Sequence, residues 1–195
     1  MCATRYTVLT LRITGGELRG RRFRLPRGAD FRPTADRVKS AVFSILGTDA
    51  LQGARALDLY AGSGALGLEA LSRGAVSVDF VETNARRCGH IRDTLAMLGL
   101  TERGAVHQGG VECIVESLTG GYGLVFADPP YAQDDWDKLM ATLNRPGMLD
   151  DGSIVVAEHR HNLTMADEYG RLSLLTRRRY GDTAISMYEI GGFNA

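Results

Sequence analysis

A glycine-rich turn between an apolar run and a helix constrains the fold of this chain more than any other sequence feature. Residues 55–60 form the apolar run, which predicts a buried strand, and residues 65–72 predict a short helix. Glycines at such a junction let the backbone approach a ligand closely, and the start of the helix offers free N–H donors. We therefore expect an α/β protein with a ligand site at the end of this strand.

Strands and helices continue to alternate after this turn, which predicts a parallel sheet with helices on both faces. The further predicted strands are residues 77–82, 104–108, 124–128 and 153–158, and the helices between them are residues 84–98, 111–118 and 134–143. Two last alternating runs, residues 171–180 and 184–190, meet at Gly181 and predict an antiparallel hairpin at the sheet edge.

The composition indicates a soluble globular protein, with 44% hydrophobic and 24% charged residues in a chain of 195, which suits one α/β domain with a small extension. No apolar run is long enough to cross a membrane.

The cysteines, Cys2, Cys88 and Cys113, show neither a disulfide framework nor metal-ligand spacing. The wide spacing of the cysteines predicts that the protein is located in a reducing cytoplasm and that it has no metal site. We expect a cytoplasmic monomer.

Positive charge is concentrated at the start of the chain. Residues 1–39 contain ten arginine and lysine residues and only three acids, although the whole chain is neutral. Such asymmetry predicts an arm that binds a polyanion. Two alternating runs, residues 9–14 and 21–25, predict a small basic hairpin. A helix with Thr34 as its N-cap follows, so the chain divides into an extension, 1–33, and a domain, 34–195.

The glycine turn also predicts the class of cofactor. Glu82 lies at the end of the second strand, about twenty residues beyond the turn, where a carboxylate can accept both hydroxyls of a ribose. Because the glycines also match the dinucleotide fingerprint, the pattern indicates an adenosine-containing cofactor without specifying it. Asp58 can hold an ammonium group, which favours S-adenosylmethionine. The residues predicted here to bind the cofactor are Asp58, Tyr60, Ala61, Gly62, Ser63, Gly64 and Glu82.

The segment Asp128-Pro129-Pro130-Tyr131 follows the fourth strand and predicts the reaction. A base amine is a poor nucleophile because its lone pair is delocalised into the ring. Hydrogen bonds to the Asp128 carboxylate and the Pro129 carbonyl would turn that lone pair toward a methyl sulfonium, and holding the two in line accelerates transfer. Pro130 keeps the segment extended, and Tyr131 would stack on an extruded base. These four residues are the predicted catalytic segment.

At these residues the chain resembles the RsmD-type methyltransferases, which make N2-methylguanine in small-subunit ribosomal RNA of bacteria. The segments that carry the resemblance are residues 12–16, 19–22, 32–38, 58–74 and 128–131. The resemblance implies a Rossmann-like class I methyltransferase with a mostly parallel seven-stranded sheet and an N-terminal RNA-binding hairpin. It also implies S-adenosylmethionine as cofactor, S-adenosylhomocysteine as product, and 16S ribosomal RNA in an assembling small subunit as substrate.

The resemblance also implies roles for further residues. Those expected to contact RNA are Arg19, Arg21, Arg22, Arg32, Thr34 and Arg37. Such enzymes often carry Asp or Asn after the third strand, where the side chain contacts the adenine amine, but this chain has Gly110 there. The adenine contact is then expected from Gln108 or from the backbone at Gly110 and Val111.

Three alternatives remain open. A DNA adenine amino-methyltransferase would use the same Asp128 chemistry, but the chain has no room for a recognition insert between Tyr131 and the last hairpin. A nicotinamide-dependent oxidoreductase explains the glycine turn and Glu82 but neither the Asp128 segment nor the basic arm. A non-catalytic RNA-binding assembly factor would account for the basic arm only.

Further residues have no assigned function. The last hairpin contains Arg177, Arg178 and Arg179, which are equally consistent with phosphate contacts and with a solvated strand. Trp136 is expected to anchor its helix.

Overall fold

Strands and helices alternate through most of the chain, as the sequence pattern predicts. The computed structural model describes residues 10–24, 36–130 and 135–191. The strands are β1 (Thr10–Arg12), β2 (Arg22–Arg24), β3 (Arg55–Leu59), β4 (Ser77–Glu82), β5 (Gly104–Gln108), β6 (Tyr122–Ala127), β7 (Leu149–Arg160), β8 (Glu168–Tyr169), β9 (Leu172–Tyr180) and β10 (Thr183–Ile190). The helices are α1 (Asp36–Leu46), α2 (Ala65–Ser72), α3 (Ala85–Leu98), α4 (Val111–Ser117) and α5 (Trp136–Leu143), with a 3-10 turn at Thr101–Arg103.

The central sheet has the strand order β5-β4-β3-β6-β7-β10-β9-β8. Strands β3 to β7 are parallel, and β10 is antiparallel to both of its neighbours. The predicted fold class, including the C-terminal antiparallel hairpin, is therefore confirmed. The number of strands differs from the predicted seven, because the two-residue strand β8 pairs with the start of β9 and adds an eighth.

The helices cover both faces of the sheet. Helices α1, α2 and α3 pack on one face, in a cluster that includes Phe43, Leu68 and Ile91. Helices α4 and α5 pack on the other face, in a cluster that includes Val115 and Met140. No helix within the described ranges is long and apolar enough to span a membrane. Since each of the strands β3 to β6 is followed by a returning helix, loops and helix starts collect at the edge where these strands end, called here the carboxyl edge.

Strands β1 and β2 form the predicted basic hairpin, with Leu11 opposite Phe23 and both side chains buried. A buried carboxylate attaches this hairpin to the domain. Glu69 of α2 is 0% exposed and accepts hydrogen bonds from the backbone N–H groups of Thr14, at 2.8 Å, and Gly15, at 2.7 Å. Lys39 of α1 lies 3.3 Å from Glu69 and donates a hydrogen bond to the Arg12 carbonyl at 2.6 Å.

The hairpin runs along the domain toward the carboxyl edge. Glu17, in its turn, pairs at 2.7 Å with Arg103, which precedes β5 at the opposite edge of the sheet. Phe23, near its open end, lies 6.2 Å from the His90 ring in α3, a helix that starts at the carboxyl edge. The open end of the hairpin is therefore the end nearer the expected site. Residues 1–9 and 25–35 lie outside the described residues, so the boundary at residues 33 and 34 stays a prediction.

Candidate active site

Asp58 lies near the end of β3 and is almost completely buried, with 2% of its surface exposed. Its Oδ2 accepts a hydrogen bond of 2.9 Å from the backbone N–H of Gly67, in the first turn of α2. Burial raises the pKa of Asp58 to about 8 despite this hydrogen bond, and the nearby charges of Asp128 and Glu82 raise it further. Three carboxyl groups thus converge at one end of the sheet, an arrangement that favours a cationic ligand.

The turn after β3 has a strained backbone. Tyr60 has φ 57°, and among the described residues it is the one non-glycine with positive φ. Such conformations are uncommon outside glycine and concentrate at ligand sites. Gly62 also has a positive φ, 55°, while Gly67 serves packing, since a Cβ there would clash with the Phe80 ring. The glycines of the fingerprint therefore have different physical roles, and Gly67 is needed to pack α2 on β4.

Glu82 faces this turn from the end of β4. It is 4% exposed and accepts backbone hydrogen bonds from Gly62 at 2.9 Å and from Asn84 at 2.8 Å. Arg87 lies 3.7 Å from the same carboxylate. Residues Ala61 to Gly64 are held close to β4, because the Ala61 N–H donates to the Val81 carbonyl at 3.0 Å. Glu82 therefore has a fixed position beside the glycine turn.

The three residues predicted on the adenine side differ in their exposure. Gln108 ends β5, pairs in register with Glu82 and has an exposed side chain. Gly110 is exposed at the N-cap of α4, where no side chain caps the helix and an added Cβ would meet nothing within 4 Å. The Val111 side chain is buried in the core beneath α4, so only its backbone can contact a ligand. Position 110 therefore has room for a larger residue.

The Asp128 segment lies beside Asp58 at the carboxyl edge. Strand β6 pairs with β3 up to Leu59 and Ala127, so Asp128 follows directly on the neighbouring strand. Asp128 is half-buried, Pro129 is buried and Pro130 is exposed. Tyr131 lies outside the described residues, as do Arg32 and Thr34, and their roles stay predictions. The structure thus brings Asp58, Glu82 and Asp128 together, as the sequence led us to expect.

Helix α5 follows the Asp128 segment, and Trp136 anchors its first turn. The indole is 4% exposed and lies edge-on to the His159 ring at 6.3 Å. Its Nε1 is buried and has no hydrogen-bond partner among the residues that the structure describes. Asp135 caps the helix by accepting a hydrogen bond from the Lys138 N–H at 3.2 Å. The start of α5 is therefore fixed to the sheet.

The basic hairpin exposes one face of arginines. Arg12 lies directly opposite Arg22, and Arg24 lies opposite Thr10, all with exposed side chains. Like charges at directly opposed positions destabilise a strand pair, and a bound polyanion would offset this cost.

The sequence analysis selected Arg22 as an RNA contact but missed Arg12 and Arg24, although their alternation with buried Leu11 and Phe23 could have identified them. The remaining predicted RNA contacts that are described, Arg19, Arg21 and Arg37, are also exposed.

Comparison with known proteins connects this site to a family. Residues 11–189 match the family model described as "Conserved hypothetical protein 95". "Putative rRNA methyltransferase YlbH" of Bacillus subtilis is 31% identical over 93% of this chain and 100% of its own length. "Ribosomal RNA small subunit methyltransferase D" of Escherichia coli is 30% identical over 92% of this chain and 89% of its own.

Solved structures agree with these relatives. "Putative methyltransferase yhhF from Escherichia coli" has a TM-score of 0.83 at 30% identity and covers 93% of this chain and 98% of its own. A more distant fold neighbour, the "putative methyltransferase" SMU.776 "complexed with SAH", has a TM-score of 0.62 at 15% identity, over 78% of this chain and 48% of its own. The fold is that of the class I methyltransferases, and the chain belongs to the Conserved hypothetical protein 95 family, the RsmD family that its sequence resembles.

Proposed function

We propose that this protein transfers a methyl group from S-adenosylmethionine to the exocyclic N2 amine of a guanine in small-subunit (16S) ribosomal RNA. One observation carries the proposal: Asp128 follows β6 at the carboxyl edge, beside the buried Asp58 and the glycine turn. An amine acceptor and a cofactor cradle are therefore neighbours. Relatives named as ribosomal RNA methyltransferases support the coarser activity, methyl transfer to ribosomal RNA.

The chain's own groups suit a cationic cofactor. S-adenosylmethionine, when bound, supplies a methyl group on a positively charged sulfur. Asp58 would hold its ammonium group, and Glu82 would accept hydrogen bonds from its ribose hydroxyls. Residues Tyr60 to Gly64 would form the wall between them, and Gln108 with the backbone at Gly110 and Val111 would lie on the adenine side.

The same groups disfavour a nicotinamide dinucleotide. A pyrophosphate needs free N–H donors at the helix start, but the Gly67 N–H already donates to Asp58 at 2.9 Å. The charges of Glu82 and Asp128 lie close enough to raise the pKa of Asp58 and would repel a pyrophosphate. An oxidoreductase is therefore the weaker reading of the glycine turn.

The target amine would be held by acceptors alone. The Asp128 carboxylate and the Pro129 carbonyl accept its hydrogen bonds, and the prolines contribute no N–H groups that could compete for those acceptors. This arrangement leaves the nitrogen lone pair directed at the methyl group, so positioning supplies much of the acceleration. Tyr131 is proposed to stack on the extruded guanine.

RNA is the proposed substrate because of the basic hairpin, which exposes Arg19, Arg21 and Arg22. Arg37 is exposed in the first turn of α1, and Arg32 and Thr34 precede that helix in the sequence. The resemblance to the RsmD-type enzymes implies a target in an assembling small subunit, and we include this in the proposal. A DNA enzyme would need a recognition insert, yet residues 128–135 alone separate β6 from α5. The arm by itself is also consistent with an assembly factor that lacks catalysis, so the substitution at Asp128 separates the two functions.

The test is methyl transfer with labelled S-adenosylmethionine to small-subunit particles from a strain that lacks this protein. We expect Asp128→Ala to abolish transfer while S-adenosylhomocysteine still raises the melting temperature. Asp137→Ala, which removes an exposed carboxylate from the first turn of α5, is the matched control and should transfer at the parent rate. Full transfer by Asp128→Ala, or stabilisation by NADH and not by S-adenosylhomocysteine, would refute the proposal.

A further inference from the structure

The C-terminal strands extend past the carboxyl edge beside the proposed active site. Strand β6 pairs with β7 up to Ala127 and Ala157, but β7 continues to Arg160. At about 3.3 Å per residue, this extension projects by roughly 10 Å. Strand β10 pairs along the extension, with Thr183 between Arg160 and Tyr180. A three-stranded corner, made of the ends of β7 and β9 and the start of β10, therefore stands next to Asp128.

The arginines of this corner point to different faces of the sheet. Arg178 lies opposite Ile185, whose side chain is in the core cluster with Phe43 of α1, so Arg178 is on the face that α1 covers. The neighbouring Arg177 is on the other face, where it donates hydrogen bonds to the Ser186 hydroxyl at 3.0 Å and the Met165 carbonyl at 2.9 Å. Arg177 therefore has a structural role, and its exposed neighbours do not share it.

Arg178 differs from the arginines on either side of it. Its side chain is exposed, and across the described ranges it has no carboxylate or carbonyl partner. Arg179 is also exposed, but it returns to the opposite face and its Nε donates to the Gly181 carbonyl at 2.8 Å. The exposed Arg160 is on the same face as Arg178 but on the other side of β10, and the half-buried Glu158 lies on this face too, opposite Ile185. Two positive side chains thus share the α1 face of the corner.

Positive charge lies on both sides of the start of α1. Arg37 is exposed in the first turn of that helix, at the carboxyl edge. The basic hairpin lies against one side of α1, through the bond between Lys39 and the Arg12 carbonyl. The corner with Arg160 and Arg178 lies on the other side, beyond Ile185. A nucleic acid whose base enters the site at Asp128 would therefore have phosphates within reach of both surfaces.

We propose that Arg178, together with Arg160, binds a phosphate of the substrate RNA, so that the RNA is held by the C-terminal corner as well as by the N-terminal hairpin. This inference rests on the proposed function, because it takes RNA as the substrate. The Arg178 guanidinium is exposed and has no ion-pair partner across the described ranges, so it is well suited to phosphate, which a guanidinium binds with two parallel hydrogen bonds. The corner would fix the direction in which the RNA crosses the carboxyl edge.

The test compares Arg178→Ala with Arg179→Ala. The two substitutions remove the same charge from adjacent residues but from opposite faces of the sheet, so a general loss of positive charge affects both equally. Binding of transcribed small-subunit ribosomal RNA is measured by fluorescence anisotropy over a range of salt concentrations. Loss of one phosphate contact lowers the slope of log K against log salt by about 0.7–0.9. We expect this decrease for Arg178→Ala and the parent slope for Arg179→Ala.

Three results would overturn the inference: a parent slope for Arg178→Ala, equal losses in both variants, or a loss seen with assembled particles but not with naked RNA. The last result would assign the corner to a protein contact. Cofactor binding separates this inference from the proposed function. We expect both variants to bind S-adenosylhomocysteine like the parent, and a parent that binds RNA through Arg178 but transfers no methyl group would refute only the proposed function.

Discussion

Glu69 and Thr14 form two hydrogen bonds, because the Glu69 carboxylate accepts from the Thr14 backbone N–H and from its hydroxyl, each at 2.8 Å. These bonds join the basic hairpin to α2. The first turn of the same helix is bound to Asp58 through Gly67. One helix of eight residues therefore connects the RNA-binding surface that we propose to the cofactor turn that we propose.

Replacing Glu69 with Gln should release the hairpin. The amide cannot accept all the donors that Glu69 accepts, and it leaves Lys39 buried without its counter-charge. Loss of one partner of a buried pair costs about 3–5 kcal/mol in the free energy of unfolding, which urea titration measures. Limited proteolysis should then cleave within residues 10–24. Glu102→Gln, an exposed substitution of the same kind, should match the parent in both measurements.

Acid should weaken the same attachment. Burial alone would raise the pKa of Glu69, but hydrogen bonds from Thr14 and Arg73 and the charge of Lys39 outweigh it and hold the pKa below its usual value. The stabilisation is therefore present above the ordinary carboxyl pKa and is lost as the pH falls through the lower pKa of the folded state. This prediction would be contradicted if the parent and the Glu69→Gln variant lost the same free energy of unfolding as the pH falls.

Asp58 should have the opposite pH dependence. Its pKa is raised from 3.8 to about 8 in the folded protein, so between these values the folded state binds more protons than the unfolded state. Stability therefore falls as the pH rises through this window. Asp58→Asn keeps an acceptor for Gly67 but has no charge to bury, so its melting temperature should fall less from pH 5 to pH 9 than that of the parent. Identical profiles would show that Asp58 does not titrate there.

The same variant tests the proposed role of Asp58 toward the cofactor. Without the carboxylate, the ammonium group loses a charge-assisted hydrogen bond, which contributes about 1.5–3 kcal/mol. Calorimetric titration with S-adenosylhomocysteine should give at least about tenfold weaker binding, since that factor corresponds to 1.4 kcal/mol. Unchanged affinity would place the ammonium group elsewhere.

Gly110 should tolerate, and gain from, a polar side chain. It is the N-cap of α4, and an added Cβ meets nothing within 4 Å. Gly110→Asn can cap the helix, which should stabilise the protein by about a few tenths of a kcal/mol. It should also tighten S-adenosylhomocysteine binding by contacting the adenine. Gly110→Ala is the matched control, because it adds a Cβ without a polar group and should not improve binding. Equal affinity for both variants would contradict the adenine contact.

Local signals in the sequence predicted most of the fold. Asn84 caps α3 by accepting hydrogen bonds from the N–H groups of Arg86 and Arg87, and Gly99 ends the helix in the left-handed conformation. The helix predicted from the sequence, residues 84–98, differs from the observed one only in including Asn84. Strand β8 had no such signal, because its two residues are strand only by pairing with Leu172 and Ser173 of β9.

The parts that sequence reasoning missed depend on distant contacts. Glu69 resembles an ordinary helix-surface acid in the sequence, and its burial follows from a hairpin 55 residues earlier in the chain. Arg177 and Arg178 could be assigned to opposite strand faces by alternation. The sequence could not show which face α1 covers, so the difference between a structural and an available arginine was visible only in the fold.

The most direct test of the central claim is the identity of the methylated nucleoside. Small-subunit particles lacking the modification are incubated with the protein and labelled S-adenosylmethionine, then digested to nucleosides and analysed by mass spectrometry. We predict that the label is found in N2-methylguanosine with the parent protein and is absent with Asp128→Ala. Label in N6-methyladenosine, or no transfer by the parent protein to any small-subunit RNA substrate, would contradict the account.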